Sequence, residues 1–213
     1  YYAAITAMDA NIGRLLDKLD QRGLREQTLI VFLSDNGFNC GHHGIWGKGN
    51  GTFPQNMYDT SVKIPAVFSH PGRIPQGTVC DELASGYDVM PTLLDYVGLE
   101  CDGAGRLPGR SLLPLLEGRT ASGRNEEVVI LDEYGPVRMI RTREWKYIHR
   151  YPYGPHELYD LTHDPGERRN RIDDPDCEPI REALKARLDQ WFVQYADPAV
   201  DGIREPVTGY GQL

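Results

Sequence analysis

The sequence predicts an α/β chain on three observations. Helix-period and strand-like apolar segments alternate through the first 120 residues, short strand-like runs cluster beyond them, and a long amphipathic stripe follows at 179–195. Ile5, Met8, Ile12, Leu15, Leu16 and Leu19 recur three or four apart with Gly23 as a stop, which predicts a helix. Thr28-Leu29-Ile30-Val31-Phe32-Leu33 is β-branched and aromatic and reads as a strand buried on both faces, as in a helix-covered parallel sheet. It ends at Ser34-Asp35-Asn36-Gly37, and a stretch to Asp59 rich in Gly, Asn and His follows without periodicity. Ile64 to Phe68 predicts a second strand. Asp88 then precedes Pro91, Leu93, Leu94 and Val97, with Gly98 closing a second helix.

The segment from Cys101 to Asn125 is rich in Gly, Arg and Pro and reads as a connector, which sets a domain boundary near residue 120. The expected units are therefore residues 1–120 and 121–213. In the second unit, Val128–Leu131, Val137–Thr142, Trp145–His149 and Leu158–Leu161 are strand-like runs parted by turn signals, as in an antiparallel meander. Ile180, Leu184, Leu188, Trp191, Phe192 and Tyr195 form one stripe of the following helix and read as core or docking residues. Asp88 and Thr92 read as capping residues, and Arg168, Arg169 and Arg171 as a solvated turn. His149, His156 and His163 have no metal-ligand spacing.

Composition bounds the function. The 213 residues carry 23 Lys and Arg against 31 Asp and Glu, a net charge of −8, which argues against general nucleic-acid binding because that affinity comes from neutralising phosphates. With 40% hydrophobic and 25% charged residues the composition is that of an ordinary globular protein. No apolar stretch approaches the roughly 18 residues of a membrane span. The start, Tyr1-Tyr2-Ala3-Ala4-Ile5, runs directly into helical periodicity and reads as the interior of a domain. Cys40, Cys80, Cys101 and Cys177 form no CxxC pair and leave the redox compartment undecided.

The chemistry points to the loop after the first strand. Asp35 and Asn36 stand where a strand of an open α/β sheet ends, the place where such sheets bind ligands. A carboxylate beside an amide oxygen offers two hard donors of the kind calcium or magnesium prefers. Taken alone, Asp-Asn-Gly also reads as a turn whose Asp caps a backbone group. Lys48, between Gly47 and Gly49, is a flexible ammonium suited to a tetrahedral oxyanion, and His42 and His43 lie between it and the Asp-Asn pair as candidate substrate contacts.

The helix Tyr1 to Asp9 leading to Ile12-Gly13-Arg14-Leu15-Leu16, then Thr28 to Gly37, His43-Gly44, Gly47-Lys48-Gly49, Tyr58 and Ile64-Pro65, resemble the later half of a sulfatase catalytic domain of the alkaline phosphatase-like superfamily. Tyr87 to Leu94 continues the match, and Glu157-Leu158-Tyr159-Asp160-Leu161 with Asp164-Pro165 and Glu167 resembles the family's C-terminal subdomain. The resemblance implies the later part of a helix-covered sheet, followed by a small α+β subdomain with an antiparallel sheet and a C-terminal helix. It also implies hydrolysis of aryl or sugar sulfate esters with a bound divalent cation, calcium first and magnesium second. Asp35 and Asn36 match metal ligands, and Lys48 matches the lysine that contacts sulfate. Asn36 favours sulfate esters, because phosphoester and phosphonoester relatives often carry His at this position.

The same resemblance expects a formylglycine nucleophile made within a C/S-x-P-x-R motif. Cys177-Glu178-Pro179-Ile180-Arg181 has that pattern, but the family's motif lies well before the Asp-Asn pair, and Pro179 opens a helix as structural prolines do. The nucleophile is therefore expected in an N-terminal part of the catalytic domain absent from this chain, and the chain alone is expected to be inactive. At a net charge of −8, Lys48 cannot attract an anionic ester by itself, so the cation and residues elsewhere must supply the rest.

Overall fold

The computed structural model describes residues 1–100, 104–119, 125–132, 135–199 and 201–204. Cys101 lies outside the described residues. Helix α1 (Tyr2–Gln21) is followed by β1 (Ile30–Leu33), the two-residue strands β2 (Asn39–Cys40) and β3 (Trp46–Gly47), and the single turn α2 (Asp59–Val62). Next come β4 (Ala66–Ser69), α3 (Val89–Tyr96) and the short α4 (Leu113–Leu116). Strands β5 (Val128–Leu131), β6 (Val137–Arg141), β7 (Trp145–Arg150) and β8 (Glu157–Asp160) precede helix α5 (Glu178–Tyr195).

The first strand departs from expectation. β1 pairs antiparallel with β4, Ile30 opposite Ser69 and Leu33 opposite Ala66, in a two-stranded sheet. All four of its residues are only half-buried, so the apolar run is not covered on both faces by this chain's described residues. Helix α1 shows the same deficit, because none of its residues is buried and Ile5, Met8 and Leu15 of its apolar stripe are exposed. A stripe of that spacing marks a face meant to pack.

The core sits in the second half. Strands β5 to β8 form an antiparallel meander in sequence order, as expected. Side chains alternate across its pleat, so each face carries its own cluster. Val129, Ile140, Tyr147 and Leu158 meet Leu184, Leu188 and Phe192 of α5 on one face. On the other, Val137, Met139, Ile148 and Tyr159 pack against Met57, with Tyr58 and Val62 alongside. The segment that leads into α2 thus forms part of the second core. Fully burying one such aliphatic side chain is worth about 1.5–3 kcal/mol.

Capping fixes the connections. Asp88 accepts hydrogen bonds from the backbone N–H of Ser85 and of Arg110, both at 2.8 Å, and Thr92 accepts one from Leu112 N–H at 2.8 Å. Both residues are fully buried, which bears out the structural reading and ties α3 to the connector. Asp174 caps the turn before α5 by accepting from Asp176 N–H at 3.0 Å and pairs with Arg171 at 2.6 Å. Cys177 is buried in the α5 cluster and burial pushes its thiol up, the reverse of what a nucleophile needs.

His149 and His156, for which the sequence offers no role, stack ring on ring with centroids 4.1 Å apart at the seam between β7, β8 and α5. Burial, with His156 and Lys185 adding to it, holds His149 down from 6.5 to about 4, although Asp189 opposes them and Arg138 assists. Burial together with Arg150, Lys185 and Arg181 lowers His156 as well. Both folded values lie below the unfolded one, so the unfolded chain takes up protons first. The stability this pair contributes is full above pH 6.5 and is lost as pH falls toward about 4. The thermal midpoint is expected to be level above pH 6.5 and to decline below it, with a shallower decline in His149→Gln. An identical slope in that variant would count against the assignment.

Candidate functional site

The site is built from the end of β1, the β2–β3 hairpin and α2. Gly37 is forced by a close approach. Its N–H donates to Ser61 O at 2.8 Å, and a Cβ there would lie 2.3 Å from Thr60 O. This contact seats the Asp35-Asn36 turn on α2. Asn36 N–H donates to Asp35 Oδ1 at 2.9 Å, and Asn36 Nδ2 donates to Gly37 O at 2.7 Å. The amide nitrogen is therefore engaged by backbone, so Oδ1 is the end a cation would meet.

The stretch from Gly37 to Asp59, irregular in sequence, is held in shape by buried amides. Asn39 is fully buried and donates to Ser61 Oγ at 2.6 Å and to Gly47 O at 3.2 Å, while the Thr60 hydroxyl donates to its Oδ1. Ser61 Oγ in turn donates to Asn56 Oδ1 at 2.5 Å, and Asn56 Nδ2 donates to Gly49 O at 3.1 Å. Gly49 has no room for a side chain, since a Cβ would lie 2.9 Å from Asn56 O. Buried polar groups so fully satisfied rigidify a segment.

That frame brings Lys48 back to the end of β1. Its Nζ lies 3.8 Å from Asp35 Oδ2, with the two side chains 51% and 81% exposed. An open pair at this distance is worth little to stability. It places an ammonium beside a carboxylate on an accessible surface, with Asn36 next in the chain. His43, with a left-handed φ of 54°, stacks on Tyr58 at a centroid distance of 3.7 Å. Burial raises the Tyr58 hydroxyl above its ordinary value. His42 stands exposed in the same turn.

Beneath the loop lies a charged cluster that sequence reasoning missed. Lys146 of β7 is fully buried and donates to Met57 O at 3.0 Å and Asp59 Oδ1 at 2.5 Å, and it pairs with Glu167. Glu167 Oε2 accepts the N–H of Asp59 at 2.6 Å, and Arg141 reaches both Asp59 oxygens at 3.2 Å. Burial works against ionising Asp59, but Lys146 and Arg141 outweigh it and hold the carboxyl down at about 2. Glu167 is raised by burial, with Lys146 opposing. The Asp-Pro-x-Glu spacing at 164–167 was the one available signal.

Asp35 and Asn36 offer two oxygen donors of the right hardness, against the about six to eight that calcium takes. Among the described residues no three His, Cys, Asp or Glu side chains group into a metal site. Any cation held here needs further ligands from elsewhere.

Comparison with known proteins shows the family. Residues 41–194 match the family described as N-sulphoglucosamine sulphohydrolase, C-terminal. The chain is 32% identical over 207 residues to an N-acetylglucosamine-6-O-sulfatase of Bacteroides thetaiotaomicron, spanning 92% of itself and 36% of that relative. A solved protein in complex with its substrate D-glucosamine-2-N,6-O-disulfate superposes with a TM-score of 0.83 at 30% identity, over 96% of this chain and 42% of that one. A phosphonate monoester hydrolase of Agrobacterium radiobacter superposes with a TM-score of 0.78 at 30% identity, over 91% and 40% of the two chains.

Proposed function

The chain belongs to the sulfatase family whose C-terminal region residues 41–194 match, and from that premise we propose that it is the later part of a sulfuric ester hydrolase acting on sulfated sugars or aryl sulfates. The observation that carries this reading is the meeting of Lys48 with Asp35 beside Asn36 on a rigid loop at the strand end. The chain spans well under half the length of the relatives it matches. The division near residue 120 is retained, the second unit serving as the floor of the loop.

In this reading Lys48 binds one sulfate oxygen and offsets charge that develops there, and Asp35 and Asn36 give two of the oxygens that hold a divalent cation, calcium first and magnesium second. That cation would neutralise sulfate oxygens when bound. His42 and His43 border the substrate, His43 held by Tyr58. The formylglycine nucleophile belongs to an N-terminal part of the catalytic domain. The bare apolar stripe of α1 and the half-buried β1 offer that part a packing surface.

The likeness to a phosphonate monoester hydrolase gives a second enzyme reading. Turnover of an aryl sulfate, an aryl phosphate and an aryl phosphonate monoester by the full-length parent separates the two. The sulfate is expected to lead in kcat/KM by about 100-fold, and a lead for either phosphorus ester would transfer the site to the second reading. A parent without an intact C/S-x-P-x-R motif, and without turnover of any of the three, would instead be a non-catalytic glycan-binding or interaction protein.

A further inference from the structure

A cleft of about 1000 Å³ opens on the far end of α5, lined by no residue of the 37–59 loop. One wall is a face of α5, where Arg187, Gln190, Trp191, Gln194 and Tyr195 recur three or four apart. Tyr87, Pro108 and Arg110, and Thr142 to Glu144 of the turn between β6 and β7, also line it. Its size is at the upper end of small-ligand sites, which run to about 1,000 Å³.

The lining is mixed in a particular way. Trp191 stands between two other rings, its centroid 5.2 Å from that of Tyr195 and 6.3 Å from that of Tyr87. Gln190 and Gln194 are exposed along the same helix face, and Asn125 borders the cleft with its Nδ2 already given to Leu83 O and Asp88 Oδ2. Arg110, Arg143 and Arg187 are matched by Glu126, Glu127 and Glu144, and Arg187 pairs directly with Glu127. The cleft is therefore close to neutral in a chain of net charge −8.

We infer that this cleft binds the pyranose rings of an oligosaccharide. A sugar ring has a face of C–H groups, which packs on an aromatic π surface, and a rim of hydroxyls, each both donor and acceptor. Side-chain amides and carboxylates are the groups that match such a rim, since an amide both donates and accepts in one plane. A polyanion would call for excess positive charge, and an apolar peptide would not use the amides. The ester-hydrolase reading is not a premise of this inference, because glycan binding here needs no turnover.

Titration of the full-length parent with a neutral chitin-derived tetrasaccharide and a sulfated counterpart, followed by calorimetry and tryptophan fluorescence, tests the inference. The neutral probe is expected to bind saturably and the sulfated one no more tightly, with inorganic sulfate producing no such change. The exposed pair Gln190→Ala and Gln194→Ala, with unchanged circular dichroism, is expected to weaken binding about tenfold. Lys48→Ala is expected to leave it intact. Absence of binding, indifference to the glutamine substitutions, or an equal loss in Lys48→Ala would each overturn the cleft assignment. Because Lys48→Ala removes hydrolysis and not cleft binding, the two readings fail separately.

Discussion

Lys146→Met is expected to lose about 3–5 kcal/mol of unfolding free energy, the range for removing one partner of a buried ion pair. The Lys146 side chain is wholly buried, and its ammonium serves Asp59, Glu167 and the carbonyl of Met57 together. Methionine keeps much of the aliphatic stem, so the loss reports the charge and hydrogen bonds rather than a cavity. Against a usual stability of about 5–15 kcal/mol the change is large, and it should appear as a lowered urea midpoint. Adding Glu167→Gln is expected to restore part of the loss, because it removes the acid left without its cation. A loss below about 1 kcal/mol would mean that the cluster relaxes or hydrates without Lys146.

The same cluster reaches the site by contact. Asp59 opens α2, Thr60 and Ser61 follow it, and these hold Asn39 and the backbone of Gly37. Loosening Lys146 should therefore disturb the Asp35-Asn36 turn, although Lys146 itself lies under the loop.

Lys48→Ala should do the reverse, leaving the fold intact while lowering kcat of the full-length parent by about 10²–10³, the scale of one lost oxyanion donor. Lys48 is half exposed and its pair with Asp35 is open to water, so the urea midpoint should not move. Asp35→Ala is expected to remove the rise in thermal midpoint that added calcium gives the parent, a readout independent of turnover. A calcium shift that survives in Asp35→Ala would place the cation elsewhere, and full activity in Lys48→Ala would remove this lysine from the site.

Several elements were legible because their signal is local. The four strands of the meander, α1, α3 and α5 follow from periodicity and stop residues, and Asp88 and Thr92 from capping chemistry. Even the false lead at Cys177 was readable from Pro179, which sits in the first turn of α5. The partners of those elements were not. A run such as Ile30–Leu33 states that it will be covered and says nothing about what covers it or in which direction its neighbour runs.

The sequence by itself determined the order of helices and strands, the family resemblance, and the residue types Asp35, Asn36 and Lys48 that chemistry would choose for an anion and a cation. Only the tertiary structure decided that Lys48 returns to Asp35, that Asn39, Asn56 and Ser61 hold the loop, and that Lys146, Asp59 and Glu167 meet beneath it. Apart from the Ser61–Asn56 bond, which spans 5 positions, these contacts join residues 13 to 108 positions apart in the chain. Periodicity and capping act within a few residues, whereas a buried charge takes whichever partner the packing of distant strands delivers to it.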